Sequence, residues 1–325
     1  MPRVTVICGG VGAARFLRGL VQVIDPVDIT AVVNVGDDSV LHGLEISPDL
    51  DTITYTLAGA IDTARGWGLA GETWQAMDQV HRYAESAGID PRAEVGNDAA
   101  GWFALGDRDL GTHLYRTSRR RAGATLSQVT AEIAGAWGLE LTVLPATDDP
   151  VRTRLTTTDG EELAFQEYFV REHHDVSVRS VRVQGADRAA PAPGVLDAID
   201  DADVVVIAPS NPVVSIDPVL AVPGVRDAIV AGRARTVAIS PIVGGAALKG
   251  PADRLLRELG HEASVVSIAG WYASLASVLV LDEVDAALAG EVELAGPRAA
   301  VAATIMSTPV AAAALARRCL DEVLG

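Results

Sequence analysis

The stretch VTVICGGVGAARFLRGL, residues 4–20, decides the fold of this chain. Its first five residues are apolar and mostly β-branched, which predicts a buried strand over residues 4–8. The amphipathic segment 13–24 that follows predicts a helix. The glycines between them suit a tight turn from strand to helix, because residues without Cβ let the backbone come close to a neighbour or a ligand. A strand, a glycine turn and a helix in this order open a βαβ unit.

Strands and helices alternate along the rest of the chain. The other predicted strands cover residues 29–34, 141–144, 204–208, 236–240, 278–281 and 301–306. The clearest further helices cover residues 72–84, 127–137 and 309–324. This alternation predicts an α/β, Rossmann-like fold with a mostly parallel sheet and helices on both faces.

One interval departs from the alternation. Residues 152–157 and 162–170, joined by Asp159-Gly160, predict an antiparallel hairpin that lies within about residues 150–184. The sequence contains no repeat, low-complexity tract or Pro/Ser-rich linker. We therefore expect a single domain over residues 1–325.

The composition excludes several classes of protein. With 26 basic and 43 acidic residues, the chain has a net charge of −17, which opposes binding to nucleic acid or an anionic membrane. Cys8 and Cys319 have no ligand spacing, so neither a disulfide framework nor a thiolate zinc site is indicated. Because the sequence has no export signal and no apolar stretch of about 20 residues, we expect a cytoplasmic protein without a nucleic-acid or membrane partner.

Polar and glycine-rich segments follow the predicted strands, where α/β sheets bind ligands. The turn with Gly10 and Gly12 either suits a phosphate at a helix N-terminus or simply satisfies the tight turn. It is not a dinucleotide fingerprint, because Arg15 replaces the third glycine and Asn34 replaces the ribose-binding acid. No GxxxxGK[ST] motif occurs, so a P-loop is excluded.

Two acidic clusters lie on neighbouring loops. Asp37 and Asp38 follow the second predicted strand, and Asp49 and Asp51 precede an apolar-periodic segment. Each carboxylate alone could cap a helix or face solvent. A carboxylate 4 Å from a phosphate charge would repel it by about 4 kcal/mol. This exceeds the ~2 kcal/mol by which a helix N-terminus can stabilise the phosphate. The clusters therefore predict a hard cation, Mg²⁺ or a relative.

Two further segments carry polar side chains suited to a ligand. In LGDRDLGTH, residues 105–113, Arg108 forms either a surface ion-pair network or a contact to a phosphate or ring carbonyl. His113 is either a packed or capping residue or a ligand contact. Ser210 and Asn211 stand between two prolines and could donate to a phosphate or a base, although Asn211 could also satisfy backbone groups.

Eleven blocks, in this order along the chain, resemble the 2-phospho-L-lactate transferase family of deazaflavin coenzyme F-420 biosynthesis. They are GGVGAARFLRGL, TAVVNVGDD, HGLEISPDLDTITYTLAG, RGWG, ETWQAM, LGDRDLGTHL, LSQVT, LPATDDP, FQEYFV, IAPSNPVVSI and SPIVGG. The blocks RGWG and ETWQAM contain tryptophans, and in this they resemble the actinobacterial branch of the family. That branch uses an enolpyruvyl donor.

The resemblance implies a reaction and roles for particular residues. A guanosine-diphosphate-linked donor would pass phosphoenolpyruvyl, or 2-phospho-L-lactyl, to the ribitol hydroxyl of the deazaflavin Fo and release GMP. It implies that Asp37 and Asp51 hold Mg²⁺ and that Asp51 also orients or deprotonates the hydroxyl. With the loop argument, the expected substrate-binding residues are Gly10, Gly12, Arg15, Asn34, Asp49, Arg108, His113, Ser210 and Asn211.

Aromatic side chains near these blocks could form the walls of a deazaflavin pocket. Trp67, Trp74, Trp102 and Phe103 are the candidates, and ordinary core packing is the alternative for each. Residues 92–101 form a longer run than the family usually has, which leaves local contacts before Phe103 open.

Two other functions compete with the transferase hypothesis. The nearer one is a non-catalytic regulator that binds a nucleotide-sugar on the same fold, and the more distant one is a nicotinamide oxidoreductase. A homodimer is the default expectation for the oligomeric state.

Overall fold

A parallel seven-stranded sheet forms the centre of the computed structural model, which describes residues 1–90 and 103–325. These residues contain fourteen strands: β1 (Val4–Cys8), β2 (Ile29–Val33), β3 (Ser39–Leu41), β4 (Leu44–Ile46), β5 (Thr142–Pro145), β6 (Arg152–Thr157), β7 (Glu162–Ala164), β8 (Val178–Gln184), β9 (Val204–Ile207), β10 (Thr236–Ile239), β11 (Ile242–Val243), β12 (Ala246–Ala247), β13 (Val278–Asp282) and β14 (Arg298–Ala302). The central sheet has the order β14-β13-β10-β9-β1-β2-β5, and all its neighbours pair in parallel. The predicted α/β, Rossmann-like fold is confirmed.

Helices connect the strands and cover the sheet. The same residues contain twelve α-helices: α1 (Gly10–Leu20), α2 (Pro48–Leu57), α3 (Gln75–Ser86), α4 (Asp107–Arg121), α5 (Leu126–Ala136), α6 (Val195–Asp200), α7 (Asp217–Leu220), α8 (Val225–Ala231), α9 (Ala252–Glu258), α10 (Val265–Tyr272), α11 (Ala289–Ala295) and α12 (Pro309–Leu324). Their ends follow from local chemistry: Thr125 and Gln128 form a capping box on α5, and Thr308 accepts a hydrogen bond from the third residue of α12. No helix of the described ranges is long and apolar enough to cross a bilayer.

Alternate residues of each central strand enter two separate cores. In β1, Val4, Val6 and Cys8 join the core that includes α1 and α12, whereas Ile7 joins the core on the opposite face. Burying each such side chain contributes about 1.5–3 kcal/mol. Helices therefore lie on both faces, as the near-continuous apolar strands predict.

The antiparallel excursion is larger than the sequence predicts. Strand β6 pairs with β7 as expected, and it also pairs with β8 on its other side, so the unit is a three-stranded sheet. The prediction of a strand over residues 162–170 is wrong beyond Ala164, because the chain enters a π-helix at Glu167–Arg171. The last predicted strand, 301–306, is displaced, since β14 spans Arg298–Ala302.

The strand order creates a crevice at the carboxyl ends of β1 and β9. From β1 the chain continues to β2 on one side, and it returns on the other side as β9. The connections after these adjacent strands therefore diverge, and such a switch point is where open α/β sheets bind ligands. The glycine turn after β1 and the Ser210-Asn211 segment after β9 meet there.

Candidate functional site

The loops after β1 and β9 touch each other directly. The hydroxyl of Ser210 donates a hydrogen bond to the carbonyl of Gly9 over 2.8 Å. A Cβ on Gly12 would lie 2.3 Å from the Pro209 carbonyl oxygen, so only glycine fits at this contact. Gly10 has a positive φ of 73°, which also favours glycine. The glycines therefore let the two loops pack closely at the base of the crevice, and they also begin α1.

Arg15 and Asn211 differ in how free their side chains are. Arg15 lies on α1 and is half-buried, and within the described ranges it makes neither an ion pair nor a side-chain hydrogen bond. Asn211 accepts hydrogen bonds from the amides of Val213 and Val214, at 3.0 and 3.4 Å. Its side-chain oxygen therefore serves the backbone, which was the alternative role considered from the sequence. Among the described residues, no side chain engages the donors of Arg15.

Asn34 joins the two acidic clusters. Its amide nitrogen donates to Asp37 Oδ1 at 3.1 Å and to Asp49 Oδ2 at 2.9 Å, and its oxygen accepts from the Gly36 amide at 2.8 Å. Ser47 donates to Asp38 Oδ2 at 2.9 Å. The other oxygen, Asp38 Oδ1, is buried and has no hydrogen-bond partner in the part of the chain that the structure describes. The cluster holds more acceptor oxygens than donors.

Burial makes this cluster electrostatically unusual. Desolvation raises the pKa of Asp38 from 3.8 to about 7, although Arg152 opposes the shift, and it raises the pKa of Asp49 to about 6 although Asn34 donates to it. Burial and the repulsion of Asp49 raise the pKa of Asp37 well above its usual value. The protein alone therefore does not compensate the negative charge of three ionised carboxylates.

Asp51 lies in a second group, between α2 and α4. Arg116 binds both of its carboxylate oxygens, with Nη1 at 3.1 Å from Oδ2. His113 Nδ1 is 3.8 Å from Asp51 Oδ2, and His113 Nε2 is 3.4 Å from Asp109 Oδ2. The hydroxyl of Tyr55 donates to Asp109 Oδ1 at 2.6 Å. This group is buried as a whole, apart from a small exposed part of Asp109.

The same group has the spacing of a metal site. Asp51, Asp109 and His113 each offer one ligand atom, and these atoms lie within 4.8 Å of one another. Burial raises the pKa of Asp51 even though Arg116 and His113 lower it. Burial acts in the same direction on Asp109, but the neighbouring His113 ring and the hydrogen bond from Tyr55 leave its pKa below the usual value. Joint metal binding by Asp37 and Asp51 stays a prediction.

The N-terminus of α4 is fixed by Glu72. Its carboxylate accepts hydrogen bonds from the amides of Arg108 and Asp109, at 2.8 and 2.9 Å. Arg108 is exposed and donates to the Ala70 carbonyl. Asp107 caps α3 through the amides of residues 75 and 76. The hydrogen bond to the Ala70 carbonyl holds the guanidinium of Arg108 at the surface, beside the loop that contains Ala70.

That loop carries an aromatic stack. The guanidinium carbon of Arg65 lies 5.1 Å from the ring centroid of Trp67 and 4.9 Å from that of Trp74. Trp67 is 50% exposed, whereas Phe103 packs against an apolar cluster with Leu41. Trp102 and residues 92–101 lie outside the described residues. Trp67 therefore offers an open aromatic surface, and Phe103 belongs to a core.

Sequence reasoning missed Arg116, Tyr55 and Glu72. Arg116 did leave a signal, because Asp109, His113 and Arg116 recur at helical spacing and share one face of α4. The partner of that face could not be read from the spacing, since Asp51 is 65 residues away from Arg116.

The model of the family described as "2-phospho-L-lactate transferase CofD" matches residues 4–304. The chain belongs to this transferase family. The resemblance inferred from the eleven sequence blocks is thereby confirmed, and the membership favours an enzyme over the regulator and the oxidoreductase.

Similar members of the family are named for one donor group. Phosphoenolpyruvate transferase of Streptomyces griseus subsp. griseus is 44% identical over 98% of both chains, and that of Mycolicibacterium smegmatis is 40% identical over 98% of both. Among solved structures, a UPF0052 family protein from Bacillus halodurans covers 98% of both chains with a TM-score of 0.61. At 18% identity, that likeness shows a shared fold.

Proposed function

We propose that this transferase passes a phosphoenolpyruvyl group from a guanosine-diphosphate-linked donor to the terminal ribitol hydroxyl of Fo. GMP leaves, and the product is a phosphodiester on the route to coenzyme F-420. The buried acidic cluster beside the glycine turn is the observation that carries this proposal, because such a site needs a cation before it can accept a diphosphate. The names of the relatives favour phosphoenolpyruvyl over 2-phospho-L-lactyl.

The donor diphosphate would bind at the switch point. Gly10 and Gly12 would let the backbone approach the phosphates, and the first turn of the eleven-residue helix α1 would face them, with the Gly10 amide hydrogen-bonded to Asp49. Arg15 supplies a guanidinium that no other described side chain engages. Ser210 lies on the facing loop, so its hydroxyl borders the same space.

Mg²⁺ fits the acidic cluster. The donors there are carboxylate oxygens, the ligands that Mg²⁺ prefers, and the buried Asp38 Oδ1 has no partner among the described residues. We assign Asp37 and Asp51 to the ion, with Asp49 beside it. When bound, Mg²⁺ would neutralise the phosphate oxygens of the donor and of the leaving GMP.

The acceptor would lie along α4. From Arg108 to Arg116 the helix advances eight residues, about 12 Å. This length suits a tricyclic ring near Arg108 and the open face of Trp67, with the ribitol chain extending to Asp51. Because Arg116 engages both carboxylate oxygens and so fixes the direction of Asp51, we assign this carboxylate to orienting the hydroxyl. Orientation of this kind can contribute roughly 7–11 kcal/mol.

Turnover with defined substrates tests the proposal. Purified protein is incubated with Fo, Mg²⁺ and guanylylated phosphoenolpyruvate, phospholactate or phosphoglycerate, and GMP and a heavier deazaflavin are measured. We expect both products with the enolpyruvyl donor, strongly reduced turnover in Asp51→Asn, and none in EDTA. No product with any donor would refute the transferase reaction, and unchanged turnover in EDTA would refute the role of Mg²⁺.

A further inference from the structure

Arg116 is the largest fully buried side chain of the described residues, and the proposed reaction does not yet give it a role. Only 2% of it is exposed. A buried arginine is rare unless it is paired, and this one is paired with the residue assigned to the acceptor hydroxyl. We infer that Arg116 is a positioning residue that fixes both the Asp51 carboxylate and the His113 ring toward the acceptor, an inference that rests on the proposed function.

The contacts of Arg116 define the direction of Asp51. Its two terminal nitrogens engage the two carboxylate oxygens, and Nη1 also approaches the carbonyl of Glu45 at 3.3 Å. The planar guanidinium therefore sets the plane of the carboxylate. An ionised carboxylate has about four lone-pair sites, so this fork leaves others free for an acceptor hydroxyl or a cation.

The same arginine sets the tautomer of His113. Arg116 Nη1 lies 3.3 Å from His113 Nδ1. A guanidinium has only N–H donors, so Nδ1 is the acceptor in this contact, in which Nη1 shares its two hydrogens among Nδ1, Asp51 Oδ2 and the Glu45 carbonyl. In the neutral ring the proton is then on Nε2, which is 3.4 Å from Asp109 Oδ2. Nε2 has no hydrogen-bond partner among the described residues, so Arg116 orders Asp51 directly and holds the His113 ring beside Asp109.

The helix itself offers a matched control. Arg119 is three residues farther along α4 and also pairs with a carboxylate, Glu132, at 2.6 and 2.9 Å. That pair is on the surface, with Arg119 41% exposed, and it contacts neither Asp51 nor His113. Removing Arg119 deletes the same charge from the same helix without touching the acceptor side.

Steady-state kinetics with both substrates test this inference. For Arg116→Met we expect kcat to fall at least 100-fold while the donor KM stays within threefold. Arg116→Lys should have a kcat at least tenfold above that of Arg116→Met, because lysine keeps the positive charge. Its kcat should stay below that of wild type, because lysine lacks the forked guanidinium. The double variant with Asp51→Asn should be no slower than Asp51→Asn alone, since Arg116 acts through Asp51. Arg119→Met should stay within twofold of wild type.

Two readouts separate positioning from simple loss of structure. The dissociation constant of GDP, which reports the donor side, should stay within threefold in every variant. ¹⁵N NMR of the imidazoles, with the His113 signal assigned from His113→Gln, should show the Nε2–H tautomer in wild type and lose that preference in Arg116→Met. This signature is measurable even if wild type proves inactive, in which case the proposed function fails and the inference is still tested.

Three results would overturn the inference. The first is a kcat for Arg116→Met within threefold of wild type. The second is a loss of GDP affinity that matches the loss of kcat, which would mean that Arg116 only supports the fold. The third is an Nδ1–H tautomer of His113 in the wild-type protein.

Discussion

The acidic cluster should make the ligand-free protein less stable as the pH rises from 5.5 to 8.0. Burial raises the pKa of Asp38 to about 7 and that of Asp49 to about 6, from 3.8 for both. The folded state therefore keeps protons that the unfolded chain has released. This stabilisation is complete below about pH 3.8 and is lost as the pH rises through the folded pKa values.

The size of the effect follows from linkage. One pKa unit corresponds to about 1.4 kcal/mol, so between pH 5.5 and 8.0 Asp38 should cost about 2 kcal/mol and Asp49 about 1 kcal/mol. The charged groups that act on Asp38 are Arg152 and Arg116, which lower its pKa, and Asp51, which raises it. Burial also raises the pKa values of Asp37 and Asp51, which would add to the loss, so the figures for Asp38 and Asp49 give its lower limit.

Urea unfolding in metal-free buffer measures this loss. We expect the free energy of unfolding to fall by at least about 3 kcal/mol between pH 5.5 and 8.0, and by about 2 kcal/mol less in Asp38→Asn than in wild type. Asp78→Asn, which removes a charge from the exposed surface of α3, should behave like wild type. Mg²⁺ should restore stability at pH 8.0 and have little effect at pH 5.5, because it binds ionised carboxylates.

The reasoning fails if the wild type is at least as stable at pH 8.0 as at pH 5.5 without metal. It also fails if Asp38→Asn and Asp78→Asn change the pH dependence equally, since the effect would then come from net charge.

Three further substitutions test other parts of the site. Gly12→Ala places a Cβ 2.3 Å from a backbone oxygen, so it should destabilise the fold by about 1–3 kcal/mol in calorimetry and weaken GDP binding. The control is Gly135→Ala, inside α5 with open space around it, which should be neutral or stabilising in the same measurement. Arg108→Ala should raise the Fo dissociation constant in a fluorescence titration, and Arg121→Ala, which removes an exposed arginine from the same helix, should not. Trp67→Ala should raise the Fo KM by about tenfold and leave the donor KM unchanged, because base-like rings lose about 1–3 kcal/mol without their stacking partner; equal changes in both would contradict the assignment.

The central sheet was predictable because its strands are buried on both faces. Residues 4–8 and 29–33 are apolar runs with a single threonine each, the near-continuous pattern of strands in a parallel sheet. The edges were harder. Strand β14 is mostly alanine and has Val301 as its one β-branched residue, so its position was misjudged, and the seven-residue β8 mixes three valines with four polar residues.

Most residues of the candidate site could be predicted from the sequence, but the contacts between them could not. The four aspartates were found because they stand in a loop or in the first turn of α2, where carboxylates serve chemistry or capping, whereas His113 lies inside α4 and was found through its segment LGDRDLGTH. Their partners depend on packing. Spacing alone cannot reveal that Asn34 bridges Asp37 and Asp49, or that α2 meets α4 so that Arg116 reaches Asp51.

The hydrogen bond between Ser210 and Gly9 joins residues 201 positions apart. During synthesis, the glycine turn therefore exists for most of the chain's elongation without the loop that completes it. A nucleotide that contacts both loops binds only after the two loops have met. Its binding free energy therefore stabilises the folded state of the whole central sheet. Separate halves of the chain would have to reassociate before either could hold the nucleotide, which makes nucleotide retention a sensitive reporter of complete folding.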